Sequence, residues 1–169
     1  MIRALTWLCA ASLWLAVPAH AGKFEKLDPP EQMHFRALQV FMDKDQEKAF
    51  FKLKERAERD AYLKEIGLWD RFYKYDETMQ KMVVNGEIQL GFTRDQLYMA
   101  WGPPYRKNRL TGRPAERSEL MIFRFGIDKN GYATPISKRA DYKAVDRYQM
   151  EVIVDDDVVT EMKEKDDWE

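Results

Sequence analysis

Cysteine and histidine are almost missing from this sequence. Its 169 residues include one cysteine, Cys9, and two histidines, His20 and His34. Zinc sites and thiol catalysis need clusters of these residue types. Beyond the apolar start of the chain, the only serines are Ser118 and Ser137, and neither lies in the Gly-x-Ser-x-Gly pattern of a catalytic serine. The sequence also lacks a glycine-rich phosphate loop. We therefore predict no catalytic residues, no metal site and no cofactor.

An excess of charge of one sign is also missing. The 28 basic and 29 acidic residues give a net charge of −1. A chain so close to neutrality has no general attraction to nucleic acid, which excludes a polyanion-binding protein of the usual basic kind. Aromatic residues make up 13% of the chain, so there is enough apolar material for a folded core.

The first 21 residues have the three parts of a secretory signal peptide. Arg3 supplies the basic start, residues 4–17 form the apolar run, and Pro18 ends it. The small residues of Ala19-His20-Ala21 then predict cleavage before Gly22. We expect an exported protein in the periplasm. Association with the outer membrane is left open.

Two other interpretations of this start fit its residues less well. A membrane anchor needs about 20 apolar residues, and this run is shorter. A lipid anchor on Cys9 would need a small residue before the cysteine, where Leu8 stands. A cleaved signal peptide fits the residues better than either anchor.

The remaining chain is long enough for one domain with its own core. We divide it by composition into four parts. They are an extended lead-in at 22–31, a helical segment at 32–85, an α+β unit at 86–163 and a charged tail at 164–169.

Apolar residues at helical spacing fill the segment 32–85. One helix is predicted over 32–41, and a second from Asp43 or Asp45 to about Ile66. The second helix is expected to bury a stripe and to carry ion pairs on its outer face. The stripe is Phe50, Leu53, Ala57 and Ala61, and the pairs are Glu55–Arg59 and Asp60–Lys64. An aromatic cluster follows, interpreted as packing between helices or as a platform for stacking a ligand: Trp69, Phe72, Tyr73 and Tyr75.

The hydrophobic period then changes from helix to strand. Thr93 and Gln96 predict a capping box at the start of a short helix, which Gly102 ends. Trp101 is expected to be buried on this helix. Alternating apolar residues predict strands at 120–125, 148–154 and 158–162, with a turn at Asp155-Asp156-Asp157. The predicted fold is α+β, a helical N-terminal half packed on a small three-stranded antiparallel sheet.

The stretch from Gly86 to Lys163 resembles the SmpA/OmlA (BamE-like) family of small outer-membrane assembly lipoproteins. The residues that carry the resemblance are Gly91-Phe92-Thr93 through Trp101-Gly102-Pro103-Pro104, followed by the strand at 120–125 and the hairpin at 150–162. The family usually has Met at the position of Phe92 and carries a lipobox, which is missing here. The resemblance implies an α+β fold and a role in envelope assembly, with another envelope protein as partner.

A basic loop at 105–118 is the most distinctive polar feature of the sequence. The candidate contact residues are Tyr105, Arg106, Lys107, Arg109, Arg113 and Arg117. Arginine guanidinium groups and tyrosine rings are common in contacts with an acidic partner or with lipid headgroups at a membrane surface. We predict a non-enzymatic binding or scaffold protein. The alternative is a periplasmic enzyme or enzyme inhibitor that uses a carboxylate or aromatic groove.

Overall fold

The computed structural model describes residues 21–131, 133–136 and 144–165, and within them helices precede strands. The α+β class is therefore confirmed. The helices are α1 (Ala21–Phe24), α2 (Pro29–Leu38) with a 3₁₀ turn (Gln39–Phe41), α3 (Lys44–Phe50), α4 (Arg56–Glu65), α5 (Trp69–Tyr73), α6 (Glu77–Val84) and α7 (Arg94–Trp101). The strands are β1 (Arg106–Leu110), β2 (Ser118–Ile127), β3 (Ala133–Pro135), β4 (Asp146–Asp155) and β5 (Val158–Lys165).

The prediction of a three-stranded sheet was wrong, because the antiparallel sheet has five strands. Its order is β1-β2-β4-β5, and β3 pairs with β2 beyond the end of β1. Both missed strands, β1 and β3, lie along one edge. Strand β1 has the sequence RKNRL, without a run of alternating apolar residues, and β3 has only three residues. Neither carries the period-2 signal by which strands are recognised.

Two helical predictions also need correction. The segment 22–31, predicted to be extended, contains α1 and the first turn of α2, where Asp28 caps the helix and a proline occupies the first turn. The single helix to Ile66 is divided into α3 and α4. The division changes which residues face inward. Ala57 and Ala61 are exposed, while Arg59 and Leu63 are buried on α4.

The predicted caps of α7 and the predicted turn at Asp155-Asp156-Asp157 are confirmed. Thr93 and Gln96 form the reciprocal capping box of α7, and Gly102 ends that helix with a positive φ of 74°. The hairpin between β4 and β5 turns at Asp156 and Asp157, with φ values of 45° and 68°. Two-residue hairpin loops require such left-handed angles, which aspartate tolerates better than most residues.

The helices cover one face of the sheet and leave the other open. Met121, Phe123 and Phe125 on β2 are at most 2% exposed, as are Val152 and Val154 on the neighbouring β4. The ring of Trp101 packs edge-on against Phe123 and Phe125, with ring centroids 5.2 and 5.3 Å apart. Trp101 is 7% exposed, so its predicted burial is confirmed. The other face of these strands carries both polar and apolar side chains and forms the surface described next.

Candidate functional site

The predicted basic loop is divided in the structure between an edge strand and a connection. Residues 106–110 form β1, which pairs with β2 on one side only. Side chains alternate along a strand. Arg106 therefore shares the open face with Ile122, its partner on β2, whereas Lys107 and Arg109 lie opposite Met121 and Glu119 on the other face.

Arg113 does not belong to a free contact surface. Its guanidinium binds Asp155 with three hydrogen bonds of 2.7 to 3.2 Å, and its Nη2 also donates to Glu161 at 2.8 Å. Because this hydrogen-bonded guanidinium stabilises the charged carboxylate, the pKa of Asp155 lies well below its usual range. Arg113 therefore holds the connection between β1 and β2 against β4 and β5.

Arg117 and Tyr105 also make contacts within the protein. Arg117 Nη2 donates to Glu119 at 3.2 Å, and its backbone N–H donates to Asp156 at 2.9 Å. The guanidinium of Arg124 lies over the ring of Tyr105, 3.9 Å from its centroid. Tyr105 therefore helps to position a second arginine beside β1, a residue that the sequence interpretation missed.

Arg106, Lys107 and Arg109 differ from the other basic candidates. All three side chains are exposed. Among the described residues, none of the three takes part in an ion pair, although Arg106 Nε donates to the amide oxygen of Asn108 at 3.1 Å. The structure therefore leaves three cations of a five-residue edge strand without a counter-ion among the described residues, Arg106 on one face and Lys107 and Arg109 on the other.

A groove of about 430 Å³ opens on the free face of the sheet next to β1. Within it, Gln149 is only 7% exposed. The single acidic side chain of the lining, Glu151, is paired with Lys165 at 2.6 Å. The lining residues are Tyr105, Arg106, Ile122, Arg124, Gln149, Glu151 and Lys165. The groove therefore favours an anionic ligand.

A buried polar cluster lies inside the helical half and was not predicted. Arg59 Nε donates to Glu31 at 2.6 Å and Arg59 Nη2 to the second carboxylate oxygen at 2.9 Å. His34, which is completely buried, is hydrogen-bonded through Nδ1 to the Tyr73 hydroxyl at 2.7 Å. Burial lowers the pKa of His34, although nearby Asp60 and Glu31 oppose this effect. A ligand cannot reach His34 in this closed arrangement, so the cluster connects helices.

The aromatic cluster also has an internal role. Tyr73 stacks on Trp69 with ring centroids 3.9 Å apart, and the Lys64 ammonium lies over the Trp69 ring at 4.6 Å. Both contacts are made within the protein. The Trp69 ring is already in contact with two side chains of the protein, which favours the packing interpretation over a ligand platform.

The described residues also contain no metal cluster and no helix that could span a membrane. Within the described ranges, no group of three or more His, Cys, Asp and Glu side chains is arranged to hold a metal ion. In the same ranges, every helix is too short or too polar to cross a bilayer. Comparison of the chain with protein-family models, with curated proteins and with solved structures finds no match.

Proposed function

We propose that this chain is an exported, non-enzymatic binding or scaffold protein of the cell envelope, and that it contacts an acidic partner protein through β1 and the adjoining groove. The observation that carries the proposal is the unpaired charge of Arg106, Lys107 and Arg109 on an edge strand. The chain has 29 acidic residues. Other arginines, such as Arg59, Arg94 and Arg113, form ion pairs with acidic side chains. Arg106, Lys107 and Arg109 form no ion pair with an acidic side chain of the described ranges, so their charge can interact with another molecule.

An edge strand also offers backbone groups to a partner. The outer side of β1 is not paired with another strand of the described sheet. Proteins use such edges to add an extended segment of another chain, whose specificity is then set by the side chains nearby. Basic side chains on edges have a second effect, since they prevent sheets from aggregating edge to edge. The experiment below separates the two roles.

The periplasmic location rests on the signal peptide predicted at the start of the chain, where residues 1–20 lie outside the described residues. The link to envelope assembly rests on the resemblance to the SmpA/OmlA family. The order of α7, Gly102, Pro103 and the strands β2, β4 and β5 supports it. Under this proposal the partner is another envelope protein, and the binding surface is made by the sheet.

The test is affinity capture from envelope extracts of the native host with matched charge variants. The pair Lys107→Gln and Arg109→Gln removes two exposed cations from β1. The control pair Lys44→Gln and Lys52→Gln removes two exposed cations from the helical half. We expect the first pair, and raised salt, to reduce capture of the same partner at least several-fold, while the control pair keeps it. Equal capture by both pairs would refute a contact role for β1.

A further inference from the structure

A second pocket, of about 290 Å³, opens on the helical half of the protein. It lies between α1 with the turn that follows it and the break between α3 and α4. Its floor is apolar, formed by Leu27 and Phe51, which are 7% and 9% exposed, and by the half-buried Leu53. The pocket shares no lining residue with β1 or with the groove beside β1.

Three lysines line the same pocket. Lys23, Lys26 and Lys54 are exposed, and no ion pair of the described residues involves them. The lining contains no acidic side chain. Because like charges repel each other, folding does not explain why three lysines surround one pocket. Their charge can instead interact with a ligand.

Three acidic side chains of the neighbouring elements are engaged by other groups. Asp28 is paired with Arg56 at 2.9 Å. Both carboxylate oxygens of Glu31 accept hydrogen bonds from Arg59. The Glu58 carboxylate accepts hydrogen bonds from two backbone N–H groups just before α4. None of these acids forms an ion pair with a lysine of the pocket.

Arg59 holds the wall of the pocket in place. It belongs to the lining and is 9% exposed. Its Nη1 donates to the backbone carbonyls of Leu53 and Lys54, at 3.1 and 2.9 Å. A buried contact of the protein therefore sets the position of these two residues. A site that is formed before its ligand arrives loses less entropy on binding.

We infer that this pocket binds a small organic anion with an apolar body. Lysine ammonium groups are point charges, so they select the charge of the head, while the apolar floor selects the body. A water molecule takes up about 30 Å³ in the liquid, so a pocket of about 290 Å³ has room for about ten heavy atoms. That size is too small for the two acyl chains of a phospholipid, and it fits a carboxylic acid with one aromatic or branched alkyl group.

Two sources offer this chemistry, a free carboxylic acid and the apolar C-terminal residue of another chain. In both, the carboxylate lies among the three lysines and the apolar group contacts the floor. The binding of such a ligand is a further activity of the helical half and does not rest on the proposed contact through β1.

The test is an NMR titration of the full mature protein at low salt. The probe is phenylpropionate, which joins a carboxylate to one aromatic ring. Phenylpropionamide keeps the shape without the charge, while acetate and inorganic phosphate keep a charge without the apolar body. We expect saturable shifts at Leu27, Leu53 and their neighbours with the probe, and at least several-fold weaker binding of each control compound.

Matched variants locate the contact. Lys23→Gln, Lys26→Gln and Lys54→Gln should each weaken the probe about two- to five-fold, as expected for one exposed ion pair. Lys52→Gln removes the same charge from a nearby exposed residue outside the lining, and should leave binding unchanged. Leu53→Ala reduces the apolar contact and should weaken the probe but not acetate, with urea unfolding as the check that the variant folds.

A peptide separates the two sources. Acetyl-Gly-Gly-Phe with a free carboxylate presents an apolar C-terminal residue, and its C-terminal amide is the control. Binding of this peptide as tightly as the probe supports a chain terminus as the ligand, and binding of the probe alone supports a free acid.

The inference would be overturned by shifts that map outside the pocket, or by the absence of saturable shifts with both the probe and the peptide in the millimolar range. Acetate or phosphate binding as tightly as the probe, or equal losses in Lys52→Gln and Lys54→Gln, would overturn it as well. None of these measurements involves β1, so partner capture by the variants of Lys107 and Arg109 tests the proposed function separately.

Discussion

The buried pair between Glu31 and Arg59 should be the most sensitive polar contact of the helical half. The two side chains are 2% and 11% exposed. Arg59 Nη1 also donates to the backbone carbonyls of Leu53 and Lys54, at 3.1 and 2.9 Å. One arginine therefore connects α2, α4 and the break between α3 and α4. Arg59→Met would leave a buried carboxylate and two carbonyls without that donor.

Breaking a buried ion pair from one side costs about 3–5 kcal/mol, because the remaining charge is desolvated without compensation. We expect Arg59→Met to lower the free energy of unfolding by about 4 kcal/mol, a large share of the roughly 5–15 kcal/mol typical of a domain. The double variant Glu31→Gln/Arg59→Met removes the orphaned charge and should be more stable than Arg59→Met alone. Urea unfolding at pH 7, followed by circular dichroism, measures both.

The exposed pair Glu77–Lys81 provides the control, since its side chains are 79% and 59% exposed. Lys81→Met should cost only about 0–1 kcal/mol. A loss below about 1 kcal/mol for Arg59→Met, or a double variant that is less stable than Arg59→Met, would refute the reasoning.

The remaining predictions concern the core, the surface, pH and export. Trp101→Ala should cost about 3–5 kcal/mol in urea unfolding, because it empties a buried aromatic site; a loss below about 1 kcal/mol would contradict its packing. Arg113→Ser should lower the unfolding midpoint measurably and Arg109→Ser should not, since only Arg113 is held by carboxylates. Burial lowers the pKa of His34 in the folded protein, whereas in the unfolded chain this histidine has its ordinary pKa of about 6.5. As pH falls, His34 of the unfolded chain is therefore protonated before His34 of the folded protein. Its contribution therefore makes stability decrease from about pH 6.5 downward, and His34→Gln should flatten midpoints measured between pH 5 and 7. N-terminal sequencing of the native protein should begin at Gly22, and an intact Met1 would exclude cleavage.

The features that the sequence predicted correctly depend on residues close together in the chain. The capping box of Thr93 and Gln96 spans three residues, and the β4–β5 hairpin joins adjacent segments. In each case the interacting residues are close together in the chain, so the local sequence pattern is enough to predict the structure. The same reasoning explains the burial of Trp101, which follows from helical spacing before a glycine stop.

The features that were missed depend on distant partners. Arg59 looked like an exposed residue paired with Glu55, because i,i+4 spacing was the only partner visible in the chain. Its actual partner, Glu31, is 28 positions away. Strand β1 is defined by its pairing with β2 rather than by its own composition. Arg113 and Arg109 likewise belong to one basic segment, and only the fold separates the bound arginine from the unpaired one.

The difference between ion-paired and unpaired arginines is what supports the proposed function. The protein has nearly equal numbers of acids and bases, so its net charge gives it no long-range attraction to an acidic molecule. Under the proposed function, recognition would come from charges within about one Debye length, roughly 8 Å at physiological salt. Folding has neutralised Arg59, Arg94 and Arg113 with specific carboxylates. It leaves the cations of β1 in solvent, where they add little to stability. Their position on an edge strand, where folding gains little from them, is the observation that supports the proposed contact with an acidic partner.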